Sequence, residues 1–350
     1  MSSPLFGRTG FVLAAFTILA VLPWFGGSYT MDLVTKIMIY AMLALSLELL
    51  VGSTGLVCFG QAAFFGVGAY AAVKLAPASG EPASLLLVLP ACMGLAALYA
   101  LLSGALSLRT RGVYFIMVTL AFAQMAYYVA HDTPLGGGTD GIYLYAKPVL
   151  GDWLDLDHPA QMYGFTWFSL FAMFALLALL QRSNFGRALA GIRVNEQRMR
   201  ATGFSTYPYK LAAFTISGAL AGWAGFLFAV KDGAVNPELL SWHLSGAVLI
   251  MIILGGLGRL RGALVGAFAF ALLQELFKSE AIFGAFSKHW HLGLGLVIIG
   301  SVALLPRGLV GVPEQWLAWR SRGHAGADSA PEGRQAGQRP LILSKRGRKA

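Results

Sequence analysis

From residue 11 to residue 305 the chain keeps returning to apolar runs, most of about membrane-spanning length, and this feature limits what it can fold into more than any other. Spanning about 30 Å of hydrocarbon takes roughly 20 apolar residues as a helix, whose backbone groups are satisfied within the segment. The runs are too long and too unbroken for barrel strands. Only 12% of the 350 residues are charged and 57% are hydrophobic, against roughly 25% charged in ordinary soluble proteins. The expected fold is all-α: a polytopic membrane helical bundle of about ten spans.

Apolar runs matched to span length fall near 11–25, 34–51, 56–75, 84–107, 113–130, 161–181, 211–230, 245–257, 262–277 and 291–305. The first, "FVLAAFTILAVLPWF", follows Arg8 as a secretory signal would. No clear small-x-small cleavage site comes after it and further spans follow quickly, so it reads as a retained span.

Charge orients the bundle. With the N-terminus inside, all seventeen arginines fall on the cytoplasmic side, and 20 of the 26 Lys and Arg residues do. This is the asymmetry that cytoplasmic loops show. The acidic residues Asp32, Glu81, Asp132, Asp140, Asp152, Asp155, Asp157, Asp232, Glu238 and Glu280 fall outside. A single helix over 245–277 would put the nine basic residues from Arg307 onward outside, so two spans are expected there. The formal charge of +10 is therefore a topology signal, and no nucleic-acid partner is expected.

The chain divides into a transmembrane domain at 1–305 and a basic tail at 306–350, whose 321–350 stretch is rich in Gly, Ala, Arg and Ser and is expected to be disordered or loosely held on anionic lipid. The external segment 131–160 opens with "HDTPLGGGTDGI", whose Pro and Gly demand irregular backbone, and is long enough to cap the bundle or form a docking surface. Cys58 and Cys92 lie inside expected spans and read as packing residues.

Catalysis finds no support. Gly-Lys does not occur, so there is no phosphate loop; ATP and magnesium, if used, belong to another chain. Hydrolase and metalloprotease signatures are missing, and His289 and His291 beside Trp290 read as interfacial anchors before they read as metal ligands. No cofactor or metal is expected on this chain. Two carboxylates lie inside spans, where charge is costly and tends to face a cavity or partner: Glu48 and Glu275. For Glu275 snorkelling to an interface is the simpler reading; for Glu48 the functional reading stands level with it.

The stretch "LLVGSTGLVCFGQAAFFGVGAYAA" carries Gly52, Gly55, Gly60, Gly66 and Gly68. Glycines let membrane helices approach closely, as do the pairs Gly218/Gly222 and Gly262/Gly266. "GSTG" at 52–55 differs, because two glycines bracket Ser53 and Thr54 and suit a tight re-entrant turn lining a pathway, with Glu48 and Gln61 beside it. A second glycine cluster, Gly255, Gly256, Gly258, Gly262 and Gly266, hints at an internal repeat. The loop 182–210 is helix-compatible from Gly186 to Thr202, stops at Gly203, and offers Ile192, Met199 and Phe204 as an apolar side for a partner's groove.

Four blocks in order, "ALSLELLVGSTGLVCFGQAAFFGVGAYAA", "FGRALAGIRVNEQRMRATGFSTYPYKLAAFTISGALAGWAGFLFA", "SGAVLIMIILGGLGRLRGALVGA" and "LLPRGLVG", resemble the LivM-type permeases of bacterial branched-chain amino-acid ABC importers. The resemblance runs from about residue 37 to 311. It implies an inner-membrane permease with both termini cytoplasmic, paired with a LivH-type permease, two ATPase subunits and a periplasmic solute-binding protein. It also implies that 182–210 holds the ATPase-coupling helix, with Arg193, Asn195, Glu196 and Gly203 matching the family pattern. Arg198, Met199 and Arg200 replace the small residues usual before that glycine. Asn is frequent in the family where Glu48 stands, and His where Gln61 stands, so the solute need not be leucine, isoleucine or valine; urea and amide importers use similar permeases. The rival from another class is an ion-coupled secondary transporter using Glu48, and a membrane-embedded enzyme ranks last.

Overall fold

A computed structural model of the chain describes residues 4–25, 27–76, 83–134, 136–150, 154–279, 284–305 and 308–311. The basic tail beyond 311 lies outside the described residues. The helices are α1 (Pro4–Phe25), α2 (Ser28–Thr54), α3 (Gln61–Leu75), α4 (Leu85–Ser107), α5 (Val113–Asp132), α6 (Pro159–Arg182), α7 (Asn184–Val194), α8 (Glu196–Ala201), α9 (Thr206–Asp232), α10 (Trp242–Gly255), α11 (Leu260–Lys278) and α12 (Trp290–Leu304).

A helix covers most of each of the ten expected apolar runs. Among the described residues seven helices are long and apolar enough to cross a membrane. At 1.5 Å per residue α3 and α10, with 15 and 14 residues, reach only about 22 and 21 Å, short of the roughly 30 Å of hydrocarbon.

Two helices form the centre. In α2 and α9, each of 27 residues, 83% and 78% of the apolar window is buried, against 22% in α5. A helix that is apolar on every side belongs in a core, and both sequences are apolar around the whole circumference. They run antiparallel: Lys231 near the end of α9 pairs with Asp32 near the start of α2 at 3.0 Å.

Helix contacts are close because small residues line them. A Cβ at Gly68 of α3 would strike the Gly222 backbone of α9, one at Gly225 the Phe65 carbonyl, and ones at Gly218 and Gly222 the methyls of Ala100 and Ala96 on α4. Gly255, Gly262 and Gly266 leave α10 and α11 in backbone contact in the same way.

Each central helix ends in a left-handed glycine followed by a break and a short helix, the second break holding a 3-10 turn at Pro237–Leu240. Gly55 (φ 75°) closes α2 and precedes 56–60 and α3; Gly233 (φ 68°) closes α9 and precedes 234–241 and α10. Such glycines end helices at no steric cost. The first break re-enters the bundle: Gln61 hydrogen-bonds Ser46, eight residues before the end of α2, which at 1.5 Å per residue is about 12 Å inside it.

Two placements differ from expectation. Gly52, Ser53 and Thr54 belong to the last turn of α2, with the Thr54 hydroxyl bonded back to the Leu50 carbonyl at 2.6 Å; the re-entrant piece is 56–60. The partner of that break is 233–241, whereas Gly255–Arg259 is a tight joint between α10 and α11 and 260–266 is helical. Glycine in an apolar stretch marks close backbone contact and turns alike, so composition did not separate them.

The loop 131–160 adds a cap. Strand β1 (Ile142–Tyr143) pairs antiparallel with β4 (Ala234–Val235) of the second break, and β2 (Val149–Leu150) pairs with β3 (Leu154–Asp155). Cys58 and Cys92 are buried free thiols.

Candidate functional site

The loop between α6 and α9 folds as an elbow of two helices, where one was expected. Asn195 makes the joint: its extended backbone (φ −159°) ends α7, and its side-chain oxygen accepts from the Arg198 N–H at 2.9 Å to cap α8. Glu196 follows in the first turn, where the helix dipole favours an acid. Past α8 the Gly203 and Phe204 N–H groups bond back to Arg200 and Met199, a left-handed stop with Gly203 at φ 81°.

Glu196 ties α8 to α9. One carboxylate oxygen accepts from Lys210 at 2.9 Å, Thr206 at 2.9 Å and Arg200 at 2.6 Å. Burial pushes this carboxyl up, but the bonds from Lys210 and Thr206, the Lys210 charge and the bond from Arg200 outweigh it and hold it at about 2. The elbow is thus fixed to the start of a central helix by a charged knot.

The apolar side of the elbow faces its own chain, not a partner as expected. Ile192 is 4% exposed, Leu189 is fully buried, and Phe204 packs on Tyr209 with centroids 4.7 Å apart. An apolar stripe says that a helix face is covered and not by what. The outer face carries Val194, 84% exposed, with Arg187, Gln197 and Arg198.

Arg193 turns inward from the end of α7. Its guanidinium donates to the Gly52 carbonyl, its stem lies 3.4 Å from where a Gly55 Cβ would stand, and Nη1 lies 3.1 Å from the corresponding point of Gly258. The elbow therefore touches both glycine clusters, the end of α2 and the α10–α11 joint. Glu48 stands against the same place: a Cβ on Gly52 would collide with its carboxylate. Glu48 is fully buried, and neither oxygen has a partner in hydrogen-bond geometry, although the Gly258 and Arg259 amides and the Arg193 guanidinium face it.

Deeper in, the first break is held by side chains. Gln61 Nε2 donates to Ser46 at 2.6 Å and Ser217 at 3.1 Å, and the Ser217 hydroxyl donates to the Ser46 carbonyl at 2.6 Å. Ser245 of α10 accepts from the Ala62 N–H at 3.0 Å, and Thr119 of α5 from the Phe59 N–H at 3.3 Å. Gly60 N–H finds Cys58 Sγ at 3.2 Å.

The sequence-predicted residues thus fall into two groups. Arg193, Glu48, Gly52, Gly55 and Gly258 meet at one junction, with Asn195, Glu196 and Gly203 shaping the elbow that delivers Arg193. Gln61 belongs to the deeper network, and Ser53 accepts from Gln181 of α6 at 3.3 Å. Glu48, Ser53, Thr54 and Gln61 are all buried within the chain's own packing. Gly60 caps α3, and Gly66 lies against Leu240. Sequence reading passed over Thr119, Ser217 and Ser245; a hydroxyl in an apolar span was their signal. Glu275 lies at the far end of the bundle and accepts from Tyr29. Among the described residues no three His, Cys, Asp or Glu side chains come together as metal ligands.

Residues 29–302 match the model of a family described as the branched-chain amino acid transport system / permease component. The chain is 31% identical over 327 residues to the high-affinity branched-chain amino acid transport system permease protein LivM of Escherichia coli K12, covering 85% of this chain and 74% of that protein. It is 30% identical to the LivM protein of Salmonella typhimurium, over 89% of this chain and 77% of that one. A shorter likeness, 30% over 146 residues, covering 39% of this chain and 41% of that one, links it to the autoinducer 2 import system permease protein LsrC of Klebsiella pneumoniae. No solved structure matches the chain.

Proposed function

Because the chain belongs to the branched-chain amino acid transport system permease family, we propose that it is one transmembrane subunit of an ATP-driven importer for branched-chain or closely related amino acids. It sits in the bacterial inner membrane with both termini in the cytoplasm, beside a LivH-type permease. Two ATPase subunits supply the hydrolysis with their own ATP and magnesium, and a periplasmic binding protein delivers the solute.

The observation that carries this reading is the elbow. Arg193 at the end of α7 touches the closing turn of α2 and the α10–α11 joint together, so a displacement of the elbow reaches both halves of the bundle. The outer face of α7 and α8, with Val194, Arg187 and Arg198, receives the ATPase. Glu48, Ser53, Thr54 and Gln61 serve the pathway as the hinge behind its wall, and the glycines of both clusters allow close contact there.

The test is purification through a C-terminal tag from native membranes, followed by reconstitution with whatever co-purifies. Two ATPase chains and a second permease are expected, with leucine uptake that requires ATP and the binding protein. Uptake of urea or an amide in preference to leucine would move the solute class and leave the mechanism standing. Uptake by the chain alone, driven by an ion gradient and abolished by Glu48→Gln, would overturn the importer reading. Gly203→Val should abolish uptake while membrane insertion persists: a Cβ there meets nothing, so only the left-handed turn is strained.

A further inference from the structure

Glu48 is a fully buried carboxylate whose two oxygens have no partner in hydrogen-bond geometry, an arrangement that is unfavourable unless something satisfies it. Its surroundings are built to receive charge. Gly52, one turn on, carries no side chain and so leaves room for the carboxylate, and the Gly258 and Arg259 amides face it from the α10–α11 joint. The cation nearest in kind is Arg193, whose guanidinium is bonded to the carbonyl of Gly52 itself. Carboxylate and guanidinium thus lie around one residue without being joined.

We propose that Glu48 is the second seat of Arg193, a positioning residue that takes the guanidinium when the elbow moves. The inference rests on the importer reading above. It gives the elbow two discrete arrangements: Arg193 on the Gly52 carbonyl, as here, and Arg193 on the Glu48 carboxylate. Arginine suits such a transfer, because its planar fork of five donors can keep one N–H on the carbonyl while others reach the acid. Moving the guanidinium onto Glu48 shifts its hold on α2 from the closing turn to the turn before it, so elbow position and bundle shape change together. Two packed arrangements that differ in one charged bond are what a coupling element needs.

The experiment uses the complete importer in proteoliposomes, with solute uptake and ATP hydrolysis measured on the same vesicles. The readout is solute moved per ATP hydrolysed. For Glu48→Met, which has no acceptor, this ratio should fall at least tenfold; for Glu48→Gln, which keeps a carbonyl oxygen, by no more than about threefold. A ratio equal to wild type in Glu48→Met overturns the proposal, and so does a parallel fall of both rates, since a structural role lowers them together. Should Glu48→Met fail to assemble, Glu48→Gln with Arg193→Gln decides: the pair should be no worse than Arg193→Gln alone, and additive losses overturn the idea. A wild-type complex without ATP-driven uptake sinks the importer reading instead, so the two failures are told apart.

Discussion

At the first break, 56–60, the backbone is held by a side chain reaching in from α5, and the first turn of α3 that follows by one from α10, while the second, 234–241, is tied by backbone pairing between β4 and β1. The two share a plan: a 27-residue central helix, a left-handed glycine, a short interruption and a helix too short to span, the second interruption including a 3-10 turn at Pro237–Leu240. They differ in what restrains them. Strand pairing clamps the backbone whatever side chains are present, whereas hydroxyl bonds can be exchanged one at a time.

The largest test concerns the short helices themselves. Gly68→Ala in α3 drives a Cβ into the Gly222 backbone, and overpacking against backbone should cost about 3 kcal/mol, read as a large fall in melting temperature in detergent. Gly246→Ala in α10 meets nothing and should leave stability equal or raise it by up to about 1 kcal/mol through helix propensity.

Next comes the restraint. Ser245→Ala leaves the Ala62 N–H unpartnered and should destabilise by about 1–3 kcal/mol. Tyr143→Ala, at a 60% exposed position of β1, the strand that pairs with the other break, should stay within about 0.5 kcal/mol. Equal losses would erase the distinction between the breaks.

Gly55→Leu and Gly233→Leu should each cost about 1–2 kcal/mol by forcing a side chain into the left-handed region. Only the first sets that side chain against Arg193, so uptake should fall severalfold for Gly55→Leu beyond its loss in Gly233→Leu.

The smallest effect is a pH dependence at the elbow. Glu196 is held at about 2, below its ordinary 4.5, so the stability it lends is complete above about 4.5 and drains away as pH falls toward 2. Melting temperatures measured from pH 6 to pH 3 should fall more for wild type than for Glu196→Gln. Identical slopes would mean that Lys210, Thr206 and Arg200 hold the elbow without the acid.

The helices were legible in the sequence because burial in lipid needs only a run of apolar residues, and each run stands alone in the chain. The elbow's joint was written in "VNEQR", an Asn with cap chemistry three residues before Arg198, and was read through as continuous helix. The second break was hidden in "KDGAVNPELL", which has the composition of an ordinary external loop. Nothing local places Arg193 beside Glu48, for 145 positions separate them and only the packing of α7 on α2 brings them together.

The first turns of α3 and α10 meet where Ser245 accepts from Ala62, so two helices present their N-terminal ends to the same region inside the bundle. The amides of the α3 start are taken up within the chain, Ala62 by Ser245 and Ala63 and Phe64 by the Gly60 carbonyl. One hydroxyl thus joins the two short helices, so a shift at the start of either carries the first turn of the other with it.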